Sequence, residues 1–160
     1  MNRYHLRRNE REIADPAALR DLVSTGRYAA VALCRDGEPY VVTMNYGYDP
    51  GRGALYFHCA VEGLKLEFIR ANPRACATVV HDRGYIHGEC DHAYRSVVLR
   101  GPISVIEDEA ERVHGLGVLI DHQEDAPGPV RERTMPGGAI ERPVGMLRLD
   151  IEEMTGKEGG

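Results

Sequence analysis

The sequence lacks the features that define several large classes of protein. Only Lys65 and Lys157 are lysines, and the other 18 of its 20 cationic residues are arginines. No C-x-x-C pair occurs among its four cysteines, and no run approaches the roughly 20 apolar residues of a transmembrane helix. The charged N-terminal segment is not followed by the apolar stretch of a secretory signal. We therefore expect a cytoplasmic protein that does not associate with a membrane.

The charge balance argues against nucleic acid as a partner. The chain carries 25 acidic and 20 basic residues, a formal net charge of −5, and a net acidic protein has no overall attraction to a polyanion. With 42% hydrophobic and 28% charged residues, its 160 residues predict one folded domain over 1–160. Within it we expect an N-terminal arm at 1–14 and a frayed tail at 156–160.

Three of the cysteines occupy apolar stretches of the sequence. Cys34, Cys59 and Cys76 each lie within such a run. Because cysteine in an apolar run is usually buried, and because disulfides are rare in the cytoplasm, we expect these three to be reduced core residues.

Hydrophobic periodicity predicts a β-rich chain with inserted helices. Asp15 and Pro16 are typical of a helix start, and Gly26 of its end. Asp36-Gly37 between two apolar runs indicates a hairpin. The patterns predict strands at 28–34, 39–48, 54–59, 74–81, 94–107 and 144–154, helices at 15–26, 63–71 and 108–121, and loops at 82–93 and 124–139.

These elements define the expected fold class. Three strands joined by short turns imply antiparallel pairing, since parallel strands need long crossovers. Six such strands usually close into a small barrel that removes exposed edges. The sequence therefore predicts a mainly β protein, with a six-stranded antiparallel barrel and three helices.

The order of several short segments resembles one family. The segments are 39–48, 55–60, EGLK at 62–65, NPRAC at 72–76 and 90–97, which contains YRSV. Together they resemble the FMN-binding split-barrel proteins related to pyridoxamine 5′-phosphate oxidase, and most closely the branch of nitroimidazole-resistance (Nim-type) reductases. True pyridoxamine phosphate oxidases carry a further substrate-phosphate motif, which we do not find here.

The resemblance implies a function. It implies a split-barrel homodimer with FMN at the subunit interface, and an oxidoreductase that reduces small electron-poor molecules, nitroaromatics or quinones, with electrons from NADH or NADPH. Split-barrel relatives also bind deazaflavin or haem. The alternative is therefore a non-catalytic module that stores or senses a flavin, a deazaflavin or a haem.

The resemblance also assigns cofactor-binding residues. It implies that the strand formed by Val41, Val42, Thr43, Met44, Asn45 and Tyr46 runs beside the flavin ring. It places Lys65 at the flavin phosphate, where the N-terminus of the helix also favours an anion. Arg95 and Ser96 supply a forked donor and a hydroxyl that suit the same cofactor.

His58 is the candidate catalytic residue. Strand alternation places it on one face with Tyr56. The resemblance brings this histidine close to the flavin and the substrate, where it would supply a proton during two-electron reduction. No metal site is expected, because His87, Cys90 and His92 have no second ligand cluster to complete one.

Overall fold

Strands dominate the computed structural model, which describes residues 7–160. The strands in that range are β1 (Tyr28–Arg35), β2 (Glu38–Asn45), β3 (Gly47–Asp49), β4 (Ala54–Cys59), β5 (Arg74–Ile86), β6 (Asp91–Val105), β7 (Gly145–Asp150) and β8 (Glu153–Gly159). The helices are α1 (Pro16–Thr25), α2 (Leu64–Ala71), α3 (Glu109–Gln123) and α4 (Pro127–Thr134), with short 3₁₀ turns at Asn9–Arg11 and Pro136–Gly138. No helix within residues 7–160 is both long and apolar enough to cross a membrane.

The three predicted helices are confirmed, and their first turns show why they begin where they do. The Asp15 carboxylate accepts a hydrogen bond of 2.9 Å from the Ala17 N–H, and Pro16 occupies the first helical position. The Asp108 carboxylate likewise accepts a 2.8 Å bond from the Glu111 N–H. These caps satisfy backbone donors that a helix leaves unpaired at its start.

The strands form one antiparallel sheet whose two ends meet. Its order is β2-β1-β5-β6-β7-β4-β3, with β8 added against β6. Strands β2 and β3 stand at opposite ends of this order, yet only Tyr46 separates them in the chain. Within residues 7–160, no ladder pairs β2 with β3 or β4. The two ends of the sheet are therefore joined through the chain at Tyr46 and not by hydrogen bonds between strands. A barrel that is interrupted in this way is a split barrel.

Two cores lie on opposite faces of β4 and β7. Leu55, Phe57 and Leu147 point into the barrel, and all three are fully buried. Tyr56 and Met146 point the other way and pack in a second cluster with α3. Because α3 covers the outside of the barrel at this point, β4 is buried on both faces for most of its length.

The mainly β, antiparallel architecture agrees with the prediction, but the strand count does not. Six strands were expected, and eight are present in residues 7–160. The predicted strand at 39–48 divides at Tyr46 into β2 and β3, and the one at 144–154 divides into β7 and β8. At the first division the chain leaves β1 for β4, and at the second it leaves β4 and pairs with another part of β6. Periodicity does not reveal either change.

The predicted loop at 82–93 is wrong. Strand β5 continues to Ile86 and pairs with β6, which begins at Asp91, after a register shift between Asp82 and Tyr85. Gly84, with φ at 98°, lies in this irregular stretch. The hairpin escaped prediction because its residues are mostly exposed and lack the alternation of a half-buried strand.

The predicted loop at 124–139 is also only partly correct, because it contains α4. Pro127 and Pro129 suggested irregular structure, but both fall in the first turn of this helix. The missing N–H of a proline costs nothing there. The real break follows at Gly137 and Gly138, whose φ values are 64° and 85°.

The C-terminal tail is not frayed. Strand β8 runs to Gly159 and pairs with β6, and the Gly156 carbonyl accepts a 3.0 Å hydrogen bond from the Ile13 N–H. The predicted N-terminal arm is held at the same place by a bridge between Glu12 and Lys157; residues 1–6 of that arm lie outside the described residues. Glycines weakened the strand signal in this tail.

The three cysteines predicted to be reduced are free thiols, as is Cys90, but none of the three is fully buried, and only Cys59 of the three packs against the core. Cys34 is exposed, and Cys59 and Cys76 are half-buried. Cys34 and Cys76 lie on β1 and β5 at positions that face away from the barrel interior. Their neighbours in sequence, rather than the cysteines themselves, supply the core.

Replacing Gly101 by alanine should destabilise the fold. A Cβ atom at this position would lie 1.7 Å from the Asp150 carbonyl oxygen, where β6 passes the end of β7. Backbone must move to relieve the clash, so we expect a loss of about 1–3 kcal/mol or more in the free energy of unfolding. Urea denaturation measures it. Gly128→Ala is the control, since nothing lies within 4 Å of a Cβ there; equal effects of the two changes would contradict this account.

Candidate functional site

Strand β2 presents an open edge. It pairs with β1 along its whole length, and within residues 7–160 no other strand pairs with it. Val41, Thr43 and Asn45 are exposed on one face, whereas Val42 and Met44 turn toward the core. The free edge offers backbone N–H and C=O groups to a ligand, beside a row of three accessible side chains.

Tyr46 ends this strand and is not available to a ligand. Its side chain is fully buried, and its hydroxyl donates a 2.6 Å hydrogen bond to the Val23 carbonyl oxygen. The predicted cofactor strand is therefore composed of two kinds of residue. Val41, Thr43 and Asn45 face outward, while Val42, Met44 and Tyr46 hold the strand in place.

Lys65 lies in the first turn of α2, beside the end of β4. Gly63 caps the helix with φ at 139° and provides no side-chain bond to its N–H groups. Burial raises the pKa of the Cys59 thiol, and the positive charge of Lys65 partly offsets this shift. Glu67, the acidic residue of the same turn, pairs instead with Arg35 at 3.3 Å.

Lys65 itself makes no ion pair with any residue in the range 7–160. An uncapped helix N-terminus and an unpaired ammonium group therefore occur together. Both favour an anion, and a phosphate group suits the pair because each of its oxygens accepts hydrogen bonds.

His58 is the exposed last side chain of β4 on the face that contacts α3. It pairs in register with Met146 of the second core. Its imidazole has no hydrogen-bond partner among residues 7–160, and it lines a cavity of about 350 Å³. Helices α3 and α4 and the segment before β7 form the other walls of this cavity.

Gln123 connects the cavity to β2. Its side-chain N–H groups donate to the carbonyl oxygens of Arg27 at 2.8 Å and of Tyr46 at 2.7 Å. Its side-chain oxygen accepts a 3.3 Å bond from the Asn45 amide. Because Gln123 also lines the cavity with His58, the end of β2 and the candidate catalytic histidine border the same region.

Arg95 and Ser96 are not close to β2 within one chain. They lie on β6, three strands from β2 in the sheet order, a separation of about 14 Å at ordinary strand spacing. They also point to opposite faces. Ser96 stands opposite Val80 and Lys157, whereas the Arg95 Nε atom lies 3.2 Å from a Glu158 carboxylate oxygen without hydrogen-bond geometry.

One face of the sheet, which we call the outer face, is unusually apolar for an exposed surface. It carries Tyr28, Val41 and Val80, which are 58%, 63% and 49% exposed. Small residues separate them, since the register places Ala30 opposite Thr43 and Thr78. The outer face thus consists of Tyr28, Ala30, Ala32, Val41, Thr43, Asn45, Cys76, Thr78, Val80, Ser96, Val98 and Arg100, and it continues on β8 through Glu153, Thr155 and Lys157.

The sequence matches the family described as pyridoxamine 5′-phosphate oxidase over residues 15–158. This match covers most of the chain, which therefore belongs to that family. This match confirms the resemblance found in the sequence segments. Similarity to a solved structure named for nitroimidazole resistance confirms the link to that branch.

Two solved structures and one sequence relative illustrate the range of similar proteins. A protein provisionally named for 5-nitroimidazole antibiotic resistance, from Bacteroides thetaiotaomicron, is 27% identical with a TM-score of 0.71, covering 91% of this chain and 85% of that one. The FAD and haem binding protein of Mycobacterium smegmatis is 26% identical with a TM-score of 0.73, covering 93% and 73%. An uncharacterized protein of Rhizobium meliloti is 26% identical over 102 residues, or 61% of this chain and 62% of that protein.

Sequence reasoning missed the residues that form the cavity. Val130 and Arg133 belong to α4, within the stretch 124–139 in which a loop was expected, and Gln123 lies at the end of α3, two residues beyond the predicted helix. The helix α4 was hidden by its prolines.

The fold near Gln123 should depend on pH through His122. Its Nε2 atom lies 2.6 Å from the Gly26 carbonyl oxygen, and its Nδ1 atom accepts from the Tyr48 N–H at 3.4 Å. Burial lowers the pKa of His122. The hydrogen bond to the Gly26 carbonyl oxygen raises this pKa and the positive charge of Arg27 lowers it, so that the net shift is downward. The unfolded chain therefore binds this proton at higher pH than the folded chain does.

We accordingly expect the free energy of unfolding to have its maximal contribution from His122 above about pH 6.5. This contribution should decrease as the pH falls toward the pKa of His122 in the folded chain. Urea denaturation at pH 7.5 and pH 5.5, at one protein concentration, measures the loss. His122→Gln should lose less stability over this interval than the unaltered chain. The same loss in both proteins would show that His122 is not the group responsible.

Proposed function

We propose that this protein is an FMN-dependent reductase of small electron-poor molecules, nitroaromatics or quinones, with NADH or NADPH as the electron donor. The observation that carries the proposal is the unpaired Lys65 at the uncapped start of α2, in a chain whose strand β2 also has an edge open to a ligand. Flavin binding in a relative of similar size supports the cofactor class, and the free thiols suit a cytoplasmic location.

The residues present fit a flavin mononucleotide. A flavin needs a surface for its ring, donors for its pyrimidine edge and a cationic site for its phosphate. Val41 and Thr43 supply an accessible surface, and the free edge of β2 supplies backbone donors. Lys65 and the first N–H groups of α2 would hold the phosphate. When bound, FMN provides the hydride chemistry that the protein side chains lack.

The outer face supports a homodimer with the cofactor shared between subunits. Exposed apolar side chains clustered on one sheet face are typical of a surface that another protein covers. Ser96 shares this face with Val41 and Thr43 but is about three strands away. A two-fold pairing of outer faces would bring Ser96 of the partner subunit toward the open edge of β2. Arg95 stays a predicted ligand, and its present partner is Glu158.

His58 would act as the proton donor. Reduction of a quinone to a hydroquinone takes up one hydride and one proton, and histidine exchanges a proton readily near neutral pH. The His58 imidazole has no partner among residues 7–160, so its N–H is available to an acceptor in the cavity. Positioned proton transfer of this kind typically contributes ~10²–10⁴-fold to a rate.

A haem is the second candidate occupant, and a specific observation favours it. A relative at 26% identity is named for binding FAD and haem, and His58 faces an apolar cavity as an axial haem ligand does. The chain would then be a binding or electron-storage module. The absorption spectrum of the purified protein separates the two, since haem gives a Soret band and oxidised flavin absorbs near ~450 nm.

Lys65→Ala should weaken FMN binding without unfolding the protein. A charge-assisted bond to phosphate is worth roughly 1.5–3 kcal/mol, which is about ten- to a hundredfold in affinity. Riboflavin has no phosphate, so its affinity should change by less than about twofold. Flavin fluorescence titration measures both. Arg70→Ala, in the last turn of α2, is the matched control; equal losses for FMN and riboflavin would remove Lys65 from the phosphate site.

His58→Ala should leave FMN bound but slow the reaction with the acceptor. Loss of the proton donor should lower that rate by about 10²-fold or more. The half-reaction with NADH or NADPH should change little, since it uses no proton from His58. Stopped-flow kinetics of each half-reaction measures the two rates, with His87→Ala as control. An unchanged rate with the acceptor would make His58 a structural residue only.

A further inference from the structure

Six aliphatic residues form the apolar part of the cavity beside His58, and seven polar or charged residues complete its lining. Leu116, Leu119 and Ile120 of α3 form one side and are each less than 10% exposed. Val130 of α4 lies across from them, and Ile140 and Val144 complete the wall. A volume of about 350 Å³ is within the usual size of a small-molecule site.

Three uncharged polar side chains line the cavity, and two of them already have hydrogen-bond partners. Gln123 uses its amide on Arg27, Asn45 and Tyr46. The Thr134 hydroxyl donates to the Val130 carbonyl oxygen. The third, His58, is exposed and has no partner in residues 7–160. A ligand in the cavity therefore finds one uncharged hydrogen-bonding group free, beside the apolar part of the space.

The charged residues at the mouth of the cavity favour neither anionic nor cationic ligands. Arg133 and Arg142 line the rim together with Glu124 and Glu141, and all four are exposed. Two positive and two negative charges cancel, and solvent screens exposed charges strongly. The apolar interior, rather than the rim, decides which molecules bind.

We infer that this cavity is the acceptor site and that it selects acceptors with an apolar alkyl substituent and one oxygen of the reducible group directed at His58. The inference rests on the proposed function and narrows it, because alkyl-substituted quinones then become better acceptors than small polar ones. Each quinone takes up a hydride, delivered from NADH or NADPH through FMN, and one proton, and leaves as the hydroquinone. Each additional methylene buried in the cavity should raise affinity by about fourfold until the space is full.

A series of 2-alkyl-1,4-naphthoquinones, from methyl to butyl, tests this inference on the full-length protein. Binding to the oxidised protein, measured by calorimetry without NADH or NADPH, should tighten about fourfold per methylene. With NADH or NADPH present, kcat/KM should increase in parallel. A flat binding series overturns the inference. A rising binding series with no turnover supports the site and overturns the proposed reductase function instead.

Two variants locate the effect. Val130→Trp fills the cavity and should abolish the dependence of binding on chain length. If this variant fails to fold, Ile140→Ser tests the same point and should weaken binding of the butyl compound by about tenfold. Glu132→Trp is the matched control, because Glu132 lies on α4 but does not line the cavity. Equal responses to Val130→Trp and Glu132→Trp would show that the quinones bind elsewhere.

Discussion

The buried hydroxyl of Tyr46 donates to the carbonyl oxygen of Val23, near the end of α1, and much of the architecture depends on this contact. Tyr46 stands between the first and last strands of the sheet order, where the ladder is interrupted. Burial raises the pKa of Tyr46 far above its ordinary value, so the hydroxyl remains a donor at neutral pH. The contact fixes the place where β2 leaves its sheet and β3 joins the other end. An unpaired strand edge is thereby held open without loss of the barrel.

The same constraint places the candidate site. Since β2 ends at Asn45, its amide meets Gln123, which also borders the cavity of His58. The position of Lys65 is set by the short link between β4 and α2, which brings the start of the helix close to Cys59 in the chain. Three chain segments thus end at the open edge of β2, at Lys65 and at His58. The outer face then provides the surface on which a second subunit would complete the site.

Local signals were sufficient for much of the fold. The predicted N-cap at Asp15, the helix start at Asp108 and the Asp36-Gly37 turn marked element boundaries that the structure confirms. The roles of Val41, His58 and Lys65 came from a family resemblance and stay predictions. Alternation correctly put His58 on the same face of β4 as Tyr56, which is the face that α3 covers.

What sequence reasoning missed is non-local. Strand β8 is held by its long partner β6 despite its glycines, and α4 forms despite its prolines. The division of 39–48 at Tyr46 depends on which strands lie beside it, information that a single segment does not contain. For the same reason, sequence alone did not reveal that Arg95 and Ser96 lie three strands away from β2 in the sheet order.

The central claim is that two chains share flavin at paired outer faces. Native mass spectrometry of the purified protein, combined with its absorption spectrum, tests this claim most directly. The account predicts a species of twice the 17.8 kDa chain mass with two bound FMN molecules, and an absorption band near ~450 nm. A monomer that remains free of flavin when FMN is added in excess would contradict it.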